Sequence, residues 1–393
     1  MSFRNRIAVV HWLPLEQFPP VENLLKELGR GDDVTVRCFT TRNDRGLPDL
    51  DTGGIKTLRW TFPSKGMNRW SRLLLLVGFQ LWVSLRLVVF RPSTVLYYEP
   101  HSAGAVFLYV MLFGRVRLFV HNHEYREQSH FKDPGNRLFA LFHRLEKRFL
   151  YRRAEMISHT NQDRVRMFLE DLPSIDPAKM RAIPNFPAHD WLSDLEPRQG
   201  DGPIRMIYVG AASFQDTFIR EFVEWFGSQP PDSVTLTLMV NNTHPETREW
   251  LLGLREQNIS VNVNGVPYSE LPRVLREHDI GVILYRGTTR NYIYNAPNKL
   301  FEYLVCGLDV WFPQVMVGIR SYADKPERPR VRAVDFAAPE DLNLALSHFT
   351  EQAEWRPWTG TCRDSLRPLL DAMRGPELNR SGQCVDEKSE SES

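Results

Sequence analysis

Short apolar runs alternate with amphipathic stretches along most of the chain. IAVVHWL (Ile7–Leu13) predicts a buried strand, and VENLLKELGRG (Val21–Gly31) has helical spacing and stops on glycine. DVTVRCFT (Asp33–Thr40) and GIKTLRW predict two more strands. The most apolar segment, RWSRLLLLVGFQLWVSLRLVVFRP (Arg69–Pro92), predicts a helix. STVLYYEP (Ser93–Pro100), a helix near Ala103–Phe113, and the strand RVRLFVHNHEY (Arg115–Tyr125) follow, then a long basic helix over Arg137–Arg153. AEMISHT predicts a strand and NQDRVRMFLEDL a helix capped by Asn161 or Thr160, and MRAIPNFP (Met180–Pro187) closes the half.

A polar stretch over 188–203 reads as a linker, and the alternation then restarts. IRMIYVG, VTLTLMV, ISVNVNG, DIGVILY and DVWFP predict strands, with helices in TFIREFVEWFGS, PETREWLLGLREQ, SELPRVLREH and PNKLFEYLVCG between them. Strand–helix alternation on this scale predicts parallel, doubly wound sheets. The expected architecture is α/β, two Rossmann-like domains facing across a cleft, with ligands at the carboxyl ends of the strands. The expected domains are 1–187 and 204–374, with a disordered polar tail over 375–393.

Composition changes this picture only in places. A chain of 393 residues with 42% hydrophobic and 25% charged residues fits a globular two-domain protein. Cys38, Cys306, Cys362 and Cys384 are too scattered for a metal cluster or a disulfide framework, which points to a reducing cytoplasm. The opening MSFRNRIAVVHWLP does not read as a signal peptide. Residues 1–200 carry 29 Lys and Arg against 21 Asp and Glu, a balance of +8, which favours anionic partners such as a membrane surface or a phosphate-linked substrate. Gln80 and Arg86 interrupt the apolar helix. A buried helix is the expectation there, with an interfacial helix anchored by Lys65, Arg69, Trp70 and Arg72 as the alternative. Basic residues are not interleaved with a nucleic-acid recognition motif, so a nucleic-acid partner is not expected.

The chemistry concentrates in NAPNKLFEYLVCGLDV (Asn295–Val310). A helix opening near Pro297 at the end of a buried parallel strand offers free amides to a diphosphate, with Asn295 placed to cap them. Lys299 adds positive charge in the first turn, and Glu302, one turn on, can accept two hydrogen bonds from a ribose diol. An ordinary amphipathic helix with an exposed Lys299–Glu302 pair is the plain alternative.

This segment resembles the P-x-K-x-x-E signature of GT-B glycosyltransferases, especially bacterial family 4-like enzymes. AEMISHTNQDR (Ala154–Arg164), RAIPNFP, IRMIYVGAAS and LPRVLREHDIGVILY are similar to further pieces of that family, in its order. The resemblance implies transfer of a hexose from a UDP- or GDP-sugar, with no metal or other cofactor. Glu302 would hold the ribose, and Lys299 and the amides of Asn298 and Lys299 would meet the diphosphate. Tyr294 stands where many members carry a second Glu. No basic residue follows the glycine turn at Gly210 before Arg220, so Arg286 or Arg290 would have to supply that charge. The Asp49-x-Asp51 pair reads as a loop.

On the acceptor side, VHNHEYREQSH (Val120–His130) ends a predicted strand. His123 and Glu124 are the catalytic candidates: an imidazole to hydrogen-bond sugar hydroxyls, and a carboxylate to act as base. Glu99 and His101, at the neighbouring strand end, and His11, at the end of the first strand, stand behind them. A metal at His121-x-His123 lacks a third ligand. The function expected is glycosyl transfer to a saccharide or lipid-linked acceptor in glycan assembly, in the cytoplasm at the inner membrane face. The alternatives are a nucleotide-sugar-binding protein of this fold without catalysis, or a UDP-sugar epimerase of the same fold.

Overall fold

The structure, a computed structural model, describes residues 5–31, 34–43, 52–63, 67–132, 137–193, 195–196, 202–241 and 243–375. The first domain is built on strands β1 (Asn5–His11), β2 (Val34–Asn43), β3 (Lys56–Phe62), β4 (Thr94–Tyr98), β5 (Arg117–Asn122), β6 (Met156–His159) and β7 (Met180–Ala182). All run parallel, in the order β3-β2-β1-β4-β5-β6-β7. The near-continuous apolar runs of β1 and β4 are explained by burial on both faces. One face is covered by α2 (Arg69–Phe90), α3 (Glu99–Leu112), α4 (Arg137–Leu145) and α6 (Gln162–Asp171), and the other by α1 (Pro19–Gly29). Helix α4 runs through a π turn (Glu146–Leu150) into α5 (Tyr151–Arg153), so the predicted basic helix is one continuous rod. Asn161 caps α6, accepting from the amide of Arg164 at 2.9 Å.

The second sheet carries β8 (Ile204–Gly210), β9 (Val234–Val240), β10 (Ile259–Asn262), β11 (Ile280–Val282), β12 (Asp309–Pro313) and β13 (Val331–Val334), all parallel in the order β10-β9-β8-β11-β12-β13. Helices α7 (Ile219–Gly227), α8 (Pro245–Gly253) and α12 (Pro339–Phe349) cover one face. Helices α9 (Leu271–Leu275) and α11 (Asn298–Val305) cover the other, and the short α10 (Arg290–Ile293) lies in the loop before α11.

Two expectations are corrected. The second domain was expected to run to residue 374. Helix α13 (Cys362–Arg374) instead returns to the first domain, where Cys362, Leu366, Leu369, Leu370 and Met373 pack with α1 against Ile7, Val9 and Leu96. The apolar face of α13 fills the half of the first sheet that α1 leaves open. Helix α2 is not a buried helix either: Phe79, Val83, Leu87 and Phe90 enter the core, while Trp70, Leu74, Leu81 and Leu85 are exposed. The expected tail beyond Gly375, Lys65 and the Asp49–Asp51 pair lie outside the described residues.

Candidate functional site

In both sheets the strand order reverses once, between β1 and β4 and between β8 and β11. Such switch points open a crevice at the carboxyl ends of the strands. His11 and Glu99 stand at the first crevice, and Gly210 and the loop leading to α11 at the second. Side chains join the two. Arg164 donates to the Asn291 side-chain oxygen at 2.7 Å, and the amide of Tyr125 donates to the same oxygen at 3.1 Å. Asn161 donates to the Tyr294 carbonyl at 2.7 Å, and Asn185 to the Asn298 side-chain oxygen at 3.0 Å.

Helix α11 is held hard against its sheet. A Cβ on Gly281 would lie 2.3 Å from the Tyr303 ring, so only glycine lets β11 and α11 come this close. The Tyr303 hydroxyl accepts from the Val209 amide at 3.1 Å and donates to the Val282 carbonyl at 3.4 Å. Asn295 does not cap the helix. The capping position is Pro297, whose side chain has no acceptor, so the first-turn amides gain no side-chain partner. Lys299 binds Glu302 at 2.7 Å. Glu302 was expected to face the cleft, but its side chain is only 2% exposed. Leu300, Phe301, Tyr303 and Leu304 around it are buried too, which draws it inward with Lys299 as its cover.

Arg286 does not supply free charge. It donates to the carbonyls of Phe214 and Thr217 at 3.1 and 3.0 Å and to Glu221 at 2.5 Å, with the Phe218 ring beneath it. Arg290 bridges the domains instead, 3.7 Å from Glu170 and over the Tyr125 ring, while its amide donates to Glu127. Tyr294 contributes its carbonyl to the inter-domain bond, and its ring is half-buried. Gly210 ends β8 at φ +153°, with its backbone half-exposed at the crevice.

On the opposite wall Glu99 organises the loop after β5. It takes a left-handed backbone, φ +60°, which costs a non-glycine residue ~1 kcal/mol or more. Its carboxylate accepts from the amides of His123 (3.0 Å) and Glu124 (3.3 Å), and Arg126 approaches at 3.5 Å. Burial raises its pKa, Arg126 opposing. Glu99 is thus a positioning residue. It fixes His123 and Glu124, which then diverge. His123 turns inward, stacked on Tyr98 with ring centroids 4.9 Å apart, and both ring nitrogens lack a hydrogen-bond partner. Burial holds its pKa well below the usual histidine value, with His121, His11 and Arg164 adding to the effect, so the ring is neutral. Glu124 turns outward toward Arg126 at 3.6 Å.

His11 donates through Nδ1 to the Leu13 carbonyl at 2.7 Å, and its Nε2 is bare. Burial lowers its pKa to about 4. His101 leaves the crevice, its ring set between Trp12 and Phe139. His121 binds Ser158 at 2.8 Å, and among the described residues no group of three or more His, Cys, Asp or Glu is placed to hold a metal.

Two cavities result. One, of about 270 Å³, is lined by Pro20, Asn23, Tyr98, His123, Asn185 and Phe186. Asn185 ties this cavity to Asn298. Asn185, on the wall that also holds His123, is thus the link from this cavity to the N-terminus of α11. The other cavity, about 370 Å³, holds Glu124, Arg126, His143 and His159. Sequence reasoning had grouped His123 with Glu124. It missed Asn185, Arg164 and Asn291, although Asn185 and Arg164 each lie in a segment similar to the family.

Residues 21–185 match the family model of the glycosyl transferase 4-like domain. Nearly the whole chain superposes on sucrose-phosphate synthase from Thermosynechococcus elongatus, at 15% identity and a TM-score of 0.65, covering 94% of this chain and 96% of that one. The fold is GT-B. Other solved GT-B structures agree. The lipopolysaccharide outer core galactosyltransferase WaaB, in its apo form, is 13% identical with a TM-score of 0.58, covering 94% of this chain and 96% of that one. HepE of Anabaena, solved with UDP and glucose, is 11% identical with a TM-score of 0.58, covering 93% and 95%. At these identities the likeness is one of fold. No curated protein matches the sequence. In this GT-B chain, α11 lies on the second domain, outside the residues that match the family model.

Proposed function

We propose that the chain is a glycosyltransferase that moves a hexose from a UDP- or GDP-sugar to a hydroxyl of a saccharide or lipid-linked acceptor in glycan assembly. The observation that carries this reading is the Asn185–Asn298 bond, which ties the uncapped end of α11 to a residue lining the cavity that holds His123. The diphosphate takes the amides of Asn298 and Lys299 and draws the Lys299 ammonium off Glu302, which uncovers that carboxylate for the ribose. His123, neutral and unpartnered, hydrogen-bonds a hydroxyl of the transferred sugar. The anomeric C–O bond breaks with its electron pair leaving on the diphosphate. The acceptor oxygen forms the new bond, and its proton passes to a carboxylate, for which Glu124 is the candidate when the acceptor enters from the neighbouring cavity that Glu124 lines.

Thermal stabilisation by a panel of UDP-, GDP- and dTDP-sugars identifies the donor. With that donor, His123→Ala is expected to lower the transfer rate at least ~10-fold while leaving nucleotide affinity unchanged. A loss of ~10²–10⁴ would mark proton transfer by the ring itself. Near-normal rates in both His123→Ala and Glu124→Ala sink the assignment. A second reading, binding without catalysis, is favoured by one observation: Arg286, expected to supply the charge missing after the glycine turn, is spent on Glu221 and two carbonyls. Donor binding without transfer or hydrolysis would establish that reading.

A further inference from the structure

Helix α2 presents an apolar stripe to solvent. Trp70, Leu74, Val77, Leu81, Leu85 and Val89 recur at helical spacing, and Trp70 and Leu74 are 69% and 71% exposed. Helix α3 continues the patch with Leu108, Met111 and Leu112. The most apolar 18-residue window within Trp70–Phe90 has a mean hydropathy of 2.2, yet only 28% of it is buried. A patch of this size on a soluble face marks an interaction surface.

The helix is not free to leave the domain and cross a bilayer. Gln80 donates to the His101 carbonyl at 2.7 Å and accepts from the Ala105 amide at 2.8 Å, so α2 is bonded to α3 in the interior. Phe79, Val83 and Leu87 lock the same side into the core. The outward stripe is therefore the face of a fixed element.

Charge selects the occupant. Across 67–118 and 137–153, which hold α2 to α5, the only carboxylates are Glu99 and Glu146, and both are buried. The exposed charges on these segments are all cationic, among them Arg72 and Arg86 on α2, Arg91 at its C-terminus, Arg115 just after α3, and Arg144 and Arg148 on the rod that packs on α3. Two copies meeting through this face would bring like charges together. An anionic lipid surface complements the cations, and its acyl region takes the stripe.

We infer that the first domain seats on an anionic membrane through the α2–α3 face, by shallow insertion of the apolar stripe with the arginines at headgroup level. The stripe from Trp70 to Val89 spans roughly 29 Å of helix, which lies along the membrane plane. Hydrophobic burial dominates, so binding outlasts the screening of charge. This inference does not depend on the proposed reaction.

The test is flotation of the full chain with vesicles of phosphatidylcholine alone and with phosphatidylglycerol added. Wild type is expected to float with the anionic vesicles and to keep most of its binding as salt rises from ~0.1 M to ~1 M, where the Debye length falls to about 3 Å. Leu74→Ser/Leu81→Ser/Leu85→Ser is expected to cut partitioning by ~10²-fold or more while unfolding at the wild-type temperature, since all three side chains are exposed. Unchanged flotation of the triple variant overturns the inference, as does complete release by salt. A wild-type dimer that ignores vesicles and that the triple variant dissolves also overturns it, by assigning the face to a second copy.

Discussion

Five histidines of the first domain carry its pH response. Burial lowers the pKa of His11 to about 4 and of His101 and His121 to about 3, and it holds His123 and His159 well below the ordinary value. A depressed histidine stays neutral when folded and takes a proton only on unfolding. Stability is therefore full above pH ~6.5 and falls as pH drops below it, by up to roughly 1.4 kcal/mol per pH unit for each histidine. Buried Glu99 and Glu146, raised by desolvation, take up protons in the folded state and offset part of that slope. Melting temperature against pH is expected to fall steeply between pH ~6 and ~4, and a flat profile there would contradict the burial of these rings. The same environment bears on Glu302: Glu302→Gln keeps the shape, loses the Lys299 ion pair, and is expected to weaken donor binding by roughly 1.5–3 kcal/mol in calorimetry. At this scale the sequence shows which residues stand at strand ends and not which way they turn. His123 and Glu124 are adjacent, and the Glu99 clamp sends them to different cavities.

Element by element, alternation and caps made the strands and helices of the first half and the second up to β12 readable, because buried parallel strands leave short apolar runs. The chain after β12 was not read. β13 is a four-residue strand, VRAV, with only two fully buried positions. Helix α13 contains Pro368, which looks like a breaker, and its visible signal was the capping box of Thr361 and Asp364. The contact between β11 and α11 was also out of reach, since a glycine in DIGVILY does not reveal the aromatic ring that will cover it. Gly281→Ala puts a methyl group into the Tyr303 ring and is expected to cost roughly 1–3 kcal/mol or more in urea unfolding, with donor affinity falling as α11 shifts. Unaltered stability would mean that the helix gives way without loss.

For the whole molecule, two Rossmann-like domains and the cleft between them were legible, because the strand–helix rhythm stops at the linker and starts again. The bonds across the cleft were not, since partners far apart in sequence leave no periodic trace. Asn291→Ala removes the acceptor shared by Arg164 and the Tyr125 amide; Arg164 keeps the His123 carbonyl and the Thr160 hydroxyl on one side but only the Asn291 carbonyl, at 3.4 Å, toward the second domain. The substitution is expected to raise the apparent donor Km more than it lowers thermal stability, as read from paired kinetics and melting curves. The return of α13 sets an order on synthesis. Strands β1 to β7 leave the ribosome first, yet the half of one sheet face that α1 leaves open stays bare until residue 374 has emerged, whereas the core of Met206–Phe349 is complete earlier. The later-made domain therefore matures first, and the earlier one waits for a helix made after it. A chain stopped at 361 forfeits five apolar side chains, worth up to roughly 7–15 kcal/mol by area, which is as much as a domain's entire stability. Such a chain is expected to keep a protease-resistant second domain and to lose the first.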